Sequence, residues 1–172
     1  MTKKHLGQLL TFKFEYSNEI VNYSGYLIDY NYDWVLLKYN KVDYVVDGYI
    51  ILKNKHVLAF KRDESEKFKQ KILDLKGQKP KDKEKIPISD ITTILTYISD
   101  KFRIFQFNMR VDSTCWLGTV KKITGSDLKI DYLTPRGTWT NNMPPFKLGN
   151  IRTIEFDTDY INSLKLIAKK KR

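Results

Sequence analysis

From Phe12 onward, apolar and aromatic positions alternate with polar ones, the two-residue period of a strand with one buried face. Phe12, Phe14 and Tyr16 fall on one face of a first strand. The same alternation predicts strands over Gly25–Tyr32, Trp34–Tyr39, Tyr44–Lys53 and Val57–Lys61. Their connections, Asn31 to Asp33, Asn40 to Asp43 and Asn54 to Lys55, are short and rich in Asn and Asp, which accept positive φ and favour antiparallel hairpins. A second set of strands follows at Phe102–Val111, Cys115–Thr124, Leu128–Leu133, Thr138–Asn141 and Ile151–Phe156, with Gly125-Ser126 and Pro135-Arg136-Gly137 as turns.

Each set ends where the period changes to that of a helix. Asp63 reads as an N-cap, with Phe68, Ile72 and Leu75 as the buried stripe. Asp157 or Thr158 heads a second helix, with Tyr160, Ile161, Leu164 and Ile167 facing in. Between the sets, Gly77 to Pro87 alternates Lys with acidic residues and holds two prolines, which marks a linker. Behind it, Ile88, Ile91, Leu95 and Ile98 stand at helical spacing, with Ser89 as a cap. A shift of 93 residues lays Ser24-Gly25-Tyr26-Leu27 on Leu117-Gly118-Thr119-Val120 and Val35–Tyr39 on Leu128–Tyr132. A shift of 94 brings Val57–Phe60 onto Ile151–Ile154 and Asp63 onto Asp157. Chance likeness between two β-rich stretches is the alternative to duplication. The expected fold is mainly β: two tandem five-stranded small barrels, SH3-like in size, each followed by a helix. Residues 1–76 form the first barrel and helix, 77–87 the linker, and 88–172 a helix, the second barrel, the last helix and a basic tail.

Gly25-x-Leu27, followed by Asn31 and Asp33 and then Val35-Leu36-Leu37, resembles the first signature motif of the Sm and Sm-like proteins, which include bacterial Hfq. Gly118-x-Val120, with Ser126-Asp127 and then Leu128-x-Ile130, resembles it again. The resemblance covers about 40 residues of each half. It implies a bent five-stranded barrel in which the glycine lets the second strand curve. It also implies that the Asn and acidic residues between the second and third strands shape a turn near an RNA-binding pore.

Charge divides the chain further. The 31 basic residues exceed the 20 acidic ones by 11, yet residues 1–76 carry a net +3, residues 77–100 zero and residues 101–172 a net +8. Lys169-Lys170-Lys171-Arg172 supply half of that last excess, as a tail that attracts any polyanion. Arg103, Arg110, Lys121, Lys122, Arg136 and Arg152 are the remaining phosphate-binding candidates, against the plainer reading of solvated strand-face charges. Aromatics show the opposite bias, because eight of the eleven tyrosines lie between Tyr16 and Tyr49. Tyr26, Ile28, Tyr30 and Tyr32 share one strand face by parity, and Trp34 follows. Such a row is a stacking platform for unpaired bases, or core, or a protein contact.

Catalytic chemistry has few materials here. His5 lies in the N-terminal segment and His56 in a hairpin turn, and Cys115, with no histidine in its own half, reads as a buried core thiol. A single cysteine excludes an internal disulfide or a cysteine-based zinc cluster. Asp29, Asp33, Asp43 and Asp47 lack calcium-loop spacing and read as turn formers rather than cation ligands. Apolar runs such as Tyr49 to Leu52 are far short of a membrane span of roughly 20 residues. Lys3 and Lys4 precede a stretch broken by Gln8 and Thr11, so the N-terminus reads as mature sequence of a cytoplasmic protein. The chain is therefore expected to be noncatalytic, without cofactor, metal or membrane. The expected partner is single-stranded RNA, with a protein partner or self-association as the alternative.

Overall fold

The computed structural model describes residues 2–81 and 85–168. In these residues the protein is mainly β, with eleven antiparallel strands and three α-helices. The first five strands are β1 (Leu9–Glu15), β2 (Ile20–Tyr30), β3 (Trp34–Tyr39), β4 (Tyr49–Lys53) and β5 (Val57–Lys61), followed by α1 (Glu64–Leu75). Then come α2 (Ile91–Phe102), β6 (Phe105–Asn108), β7 (Cys115–Thr124), β8 (Asp127–Leu133), β9 (Trp139–Thr140), β10 (Phe146–Lys147), β11 (Thr153–Phe156) and α3 (Asp159–Ile167). The fourth expected strand begins at Tyr49 rather than Tyr44, because Gly48 turns the chain at φ +64. No helix among the described residues is long and apolar enough to cross a membrane.

All pairings run along one open sheet, ordered β10-β8-β7-β6-β11-β4-β3-β2-β1-β5, with β9 also on β8. In both sets the last strand pairs beside the first, β5 on β1 and β11 on β6. The expected glycines occupy matching places. A Cβ on Gly25 would lie 2.5 Å from the Lys38 carbonyl oxygen, and one on Gly118 would collide with that of Asp131. A bulge follows each glycine, between Leu27 and Asp29 in β2 and between Val120 and Lys122 in β7. Both turns into the closing strand are single 3-10 turns, Asn54–His56 and Leu148–Asn150.

The helices dock differently from their apolar spacing. Asp63 caps α1 as expected, accepting from the Ser65 amide at 2.9 Å, while Glu66 reaches back to the Asp63 amide at 3.0 Å. Its buried face is polar, however. Thr11 Oγ1 donates to Glu66 at 2.8 Å, the Leu9 amide to Gln70 at 3.0 Å and Tyr26 Oη to Asp74 at 2.7 Å, with Leu73 filling the seam. Phe68 and Leu75 consequently face solvent, 60% and 79% exposed. Asp90, one residue after Ser89, caps α2, which buries Ile94, Leu95 and Ile98. Thr158 caps α3, which buries Ile161 and Leu164 but leaves Tyr160 and Ile167 exposed.

The two sets are joined by backbone pairing of β11 with β4, Thr153 opposite Leu52 through Phe156 opposite Tyr49. Leu36 and Ile51 from the first set, Phe105, Phe107, Ile154 and Phe156 from the second, and Ile94, Leu95 and Ile98 of α2 form one apolar cluster. Ile86 and Ile88, on either side of the linker's end, are buried in it as well. Close approach at this seam requires Gly48, since a Cβ there would lie 2.6 Å from the Phe156 carbonyl oxygen and 2.6 Å from the Thr158 nitrogen. Gly77 has a similar φ of +70 with open space around it. Gly77→Ala is expected to cost about 1–2 kcal/mol from its left-handed backbone alone. Gly48→Ala should cost roughly 1–3 kcal/mol more through the collision. Urea-unfolding midpoints separate the two, and equal costs would contradict a tight β4–β11 seam.

Candidate nucleic-acid interface

β4 runs into the Asn54–His56 turn and β11 leaves the Leu148–Asn150 turn, so their antiparallel pairing sets those turns side by side. The Lys53 amide donates to the Arg152 carbonyl at 2.8 Å, and Lys53 Nζ reaches the Gly149 carbonyl at 2.7 Å. The β2–β3 loop packs on the same corner. Asn54 donates from its amide to the Asp33 carbonyl at 2.7 Å and from its side chain to the Tyr32 carbonyl at 2.9 Å. Asn31 Oδ1 holds that loop by accepting from the Asp33 and Trp34 amides, each at 2.8 Å.

The result is a corner crowded with positive charge. Burial pushes the Lys53 ammonium below its ordinary value; Lys55 and Arg152 push the same way, and Asp33 opposes them. Burial also lowers His56, and Arg152, Lys55 and Lys53 together take it to about 4. The His56 ring packs on Phe14, 5.8 Å between centroids. Arg152 lies over the Tyr16 ring at 5.8 Å and donates to the Glu15 carbonyl and to Ser17 Oγ at 3.2 and 3.3 Å. Next to this corner, Tyr30, Asn31, Tyr32, Asn54 and the edge of β5 line an open hollow of about 690 Å³. Tyr32 is 91% exposed on its rim.

A buried polar chain braces the corner from behind. Tyr23 donates to Asp112, the Tyr16 and Tyr23 hydroxyls meet at 2.8 Å, and Tyr16 reaches Thr153 Oγ1 at 3.0 Å. Burial raises both phenols well above their ordinary value, so they remain protonated. This chain ties the β1–β2 hairpin to the loop after β6, where the Arg110 carbonyl accepts from the Ser17 amide at 3.0 Å.

The sequence candidates divide sharply. Tyr26 and Trp34 are core, 0% and 3% exposed, and Tyr30 is half-buried against the first-set core. The bulge between Leu27 and Asp29 breaks the parity of the expected aromatic row, and Tyr32 lies beyond the end of β2. Tyr32 and Arg152 belong to the basic corner, and Arg110 is exposed on the adjoining loop. Lys121 sits 3.9 Å from Asp131, Lys122 is exposed on β7, Arg136 is exposed in the β8–β9 turn, and Arg103 lines a separate cleft. Lys169, Lys170, Lys171 and Arg172 lie outside the described residues. Lys53, Lys55 and His56 were not among the candidates; the run Lys53-Asn54-Lys55-His56 in a predicted turn was the available signal.

Two further expectations meet the structure here. Cys115 is exposed at the first position of β7, not buried in the core, near the charged groups of Glu155, Lys41 and Asp112. Asp29 accepts from the neighbouring Tyr30 amide at 2.8 Å, whereas Asp47 accepts from the Asp159 amide at the start of α3 at 2.6 Å, so each serves a backbone group. No family model matches the chain, and no curated protein matches it.

His56 reports directly on this corner. Its folded pKa of about 4 lies below the ordinary 6.5, so between those values the unfolded chain takes up a proton that the folded protein refuses. Stability should therefore fall as the pH drops from about 6.5 to about 4, and this loss should be complete below that. Proton NMR of the His56 ring is expected to give a midpoint near 4 in the free protein. A midpoint near 6.5 would mean that the ring is less buried, and the surrounding cations farther away, than described.

Proposed function

We propose that the protein is a noncatalytic binder of single-stranded RNA, built from two Sm-like small barrels that share one sheet. The observation that carries the reading is the basic corner of Lys53, Lys55 and Arg152 around a neutral His56, where burial, Lys55 and Arg152 all disfavour the charge on Lys53 and Asp33 opposes them. A phosphate placed there relieves that repulsion and replaces solvent counterions, which supplies affinity without reading sequence. Tyr32 beside it offers one exposed ring for a base. The reading differs from a flat aromatic platform, since Tyr26 and Trp34 are in the core. The matching strand order, glycines and bulges of the two sets support the Sm-like assignment.

A second reading, a protein-interaction or self-association module, draws on the β5 edge. Its counterpart β11 is paired on both sides, whereas β5 pairs only with β1 and leaves Leu58 50% exposed. In that reading the partner adds a strand beside β5.

Fluorescence anisotropy of a labelled single-stranded RNA distinguishes the two. Replacing Lys169–Arg172 with glutamines should weaken binding but not abolish it. Lys53→Gln, Lys55→Gln and Arg152→Gln should each reduce the slope of log affinity against log salt by about 1. Loss of all binding with the tail, or indifference to the three corner substitutions, would turn the account toward the β5 edge.

A further inference from the structure

A second concave site lies on the other side of the second set, between α2, β7, β9 and α3. It is a cleft of about 650 Å³ and shares no residue with the basic corner. Its apolar lining is Ile104, Val120, Trp139 and Ala168. Its polar lining is Ser99, Thr119, Arg103 and Lys165, with Asp100 as its acid. A cleft of this size with an aromatic side chain and a few polar groups has the build of a small-molecule site.

The backbone at Arg103 is unusual. Its φ and ψ of 70° and −55°, with the Ile104 amide donating to the Phe102 carbonyl at 2.9 Å, make it the centre of a γ-turn of the rare, strained kind. Helix ends commonly place glycine in a left-handed conformation, and an arginine held at positive φ costs about 1–3 kcal/mol. The turn sets the direction in which Arg103, a lining residue of the cleft, leaves the helix. Lys165, half-buried on α3, lines the same cleft, with Nζ donating to Asn162 Oδ1 at 2.8 Å. Burial lowers this ammonium below its ordinary value, and Arg103 contributes in the same direction against Asp157, so the two cations act on one another.

Two hydroxyls add hydrogen-bonding capacity. Ser99 Oγ accepts from the Val120 amide at 3.1 Å and lies 2.8 Å from Thr119 Oγ1. When Ser99 gives its own hydrogen to Thr119, the Thr119 hydrogen is left to donate to a ligand. Two cations suit a phosphate dianion, the arginine through paired N–H donors. Trp139 provides a face for a heteroaromatic ring.

We propose that this cleft binds a nucleoside monophosphate, its phosphate between Arg103 and Lys165 and its base against Trp139. The nucleotide is either free or the 5′-phosphorylated end of a strand. The two sources share this chemistry.

Isothermal titration of the full chain with AMP, adenosine and inorganic phosphate tests the assignment. AMP should bind at least about tenfold more tightly than either fragment, a difference of about 1.4 kcal/mol. Arg103→Gln and Lys165→Gln should each weaken AMP about tenfold while leaving adenosine unchanged, with amide spectra confirming the fold. Lys53→Gln should leave AMP binding intact, which separates this site from the RNA reading. Displacement of AMP by a 5′-phosphorylated oligonucleotide but not by its 5′-hydroxyl form assigns the strand end; displacement by neither assigns the free nucleotide. Absence of AMP binding, equal binding of AMP and adenosine, or indifference to both substitutions would overturn the proposal.

Discussion

Insertion of β11 between β6 and β4 is the constraint on which the rest of the structure depends. A lone β11 of four residues would leave one row of backbone donors and acceptors open on the second set, and β4 would leave another on the first. Pairing the two strands satisfies both rows together and buries Ile154 and Phe156 completely. Burial of two such side chains contributes roughly 3–6 kcal/mol before ordering costs. The seam also accommodates polar groups: Glu155, buried within β11, is paired with Lys41 at 3.5 Å, and burial raises its carboxyl above the ordinary value.

The same pairing explains the electrostatics. Two short turns, one after β4 and one before β11, are brought together by the pairing of those strands, and Lys53, Lys55 and Arg152 at their ends meet. The sheet and the tyrosine chain behind it supply the rigidity that holds like charges close. Tyr16, Tyr23, Asp112 and Thr153 come from both sets, so loosening that chain would relax the corner as well as the seam. Preorganised positive charge of this kind favours an anion without costing further rearrangement at the moment of binding.

Much of the local structure was legible in the sequence. Alternation placed most of the strands, because a half-buried strand must repeat every two residues. Asp63 announced its cap, and the shift of 93 residues set Gly25 on Gly118. What local pattern does not contain is non-local pairing: nothing near Thr153 indicates that Leu52 lies opposite it. The buried face of α1 was hidden because Glu66, Gln70 and Asp74 hold the helix by hydrogen bonds, whereas periodicity tracks only apolar residues. The tyrosine row failed at a bulge, which shifts parity without a sequence marker. The basic corner escaped notice for the same reason as the seam, since Lys53 and Arg152 stand 99 residues apart in the chain.

Native-state hydrogen exchange at the seam tests the central claim most directly. The Lys53 amide donates to the Arg152 carbonyl and the Arg152 amide to the Asn108 carbonyl, each bond spanning two strands. If β11 welds both sets into one cooperative unit, these two amides exchange only through global unfolding, with the same free energy as the core amides of β3 and β7. Exchange at a distinctly lower free energy, with the sets opening separately, would contradict it.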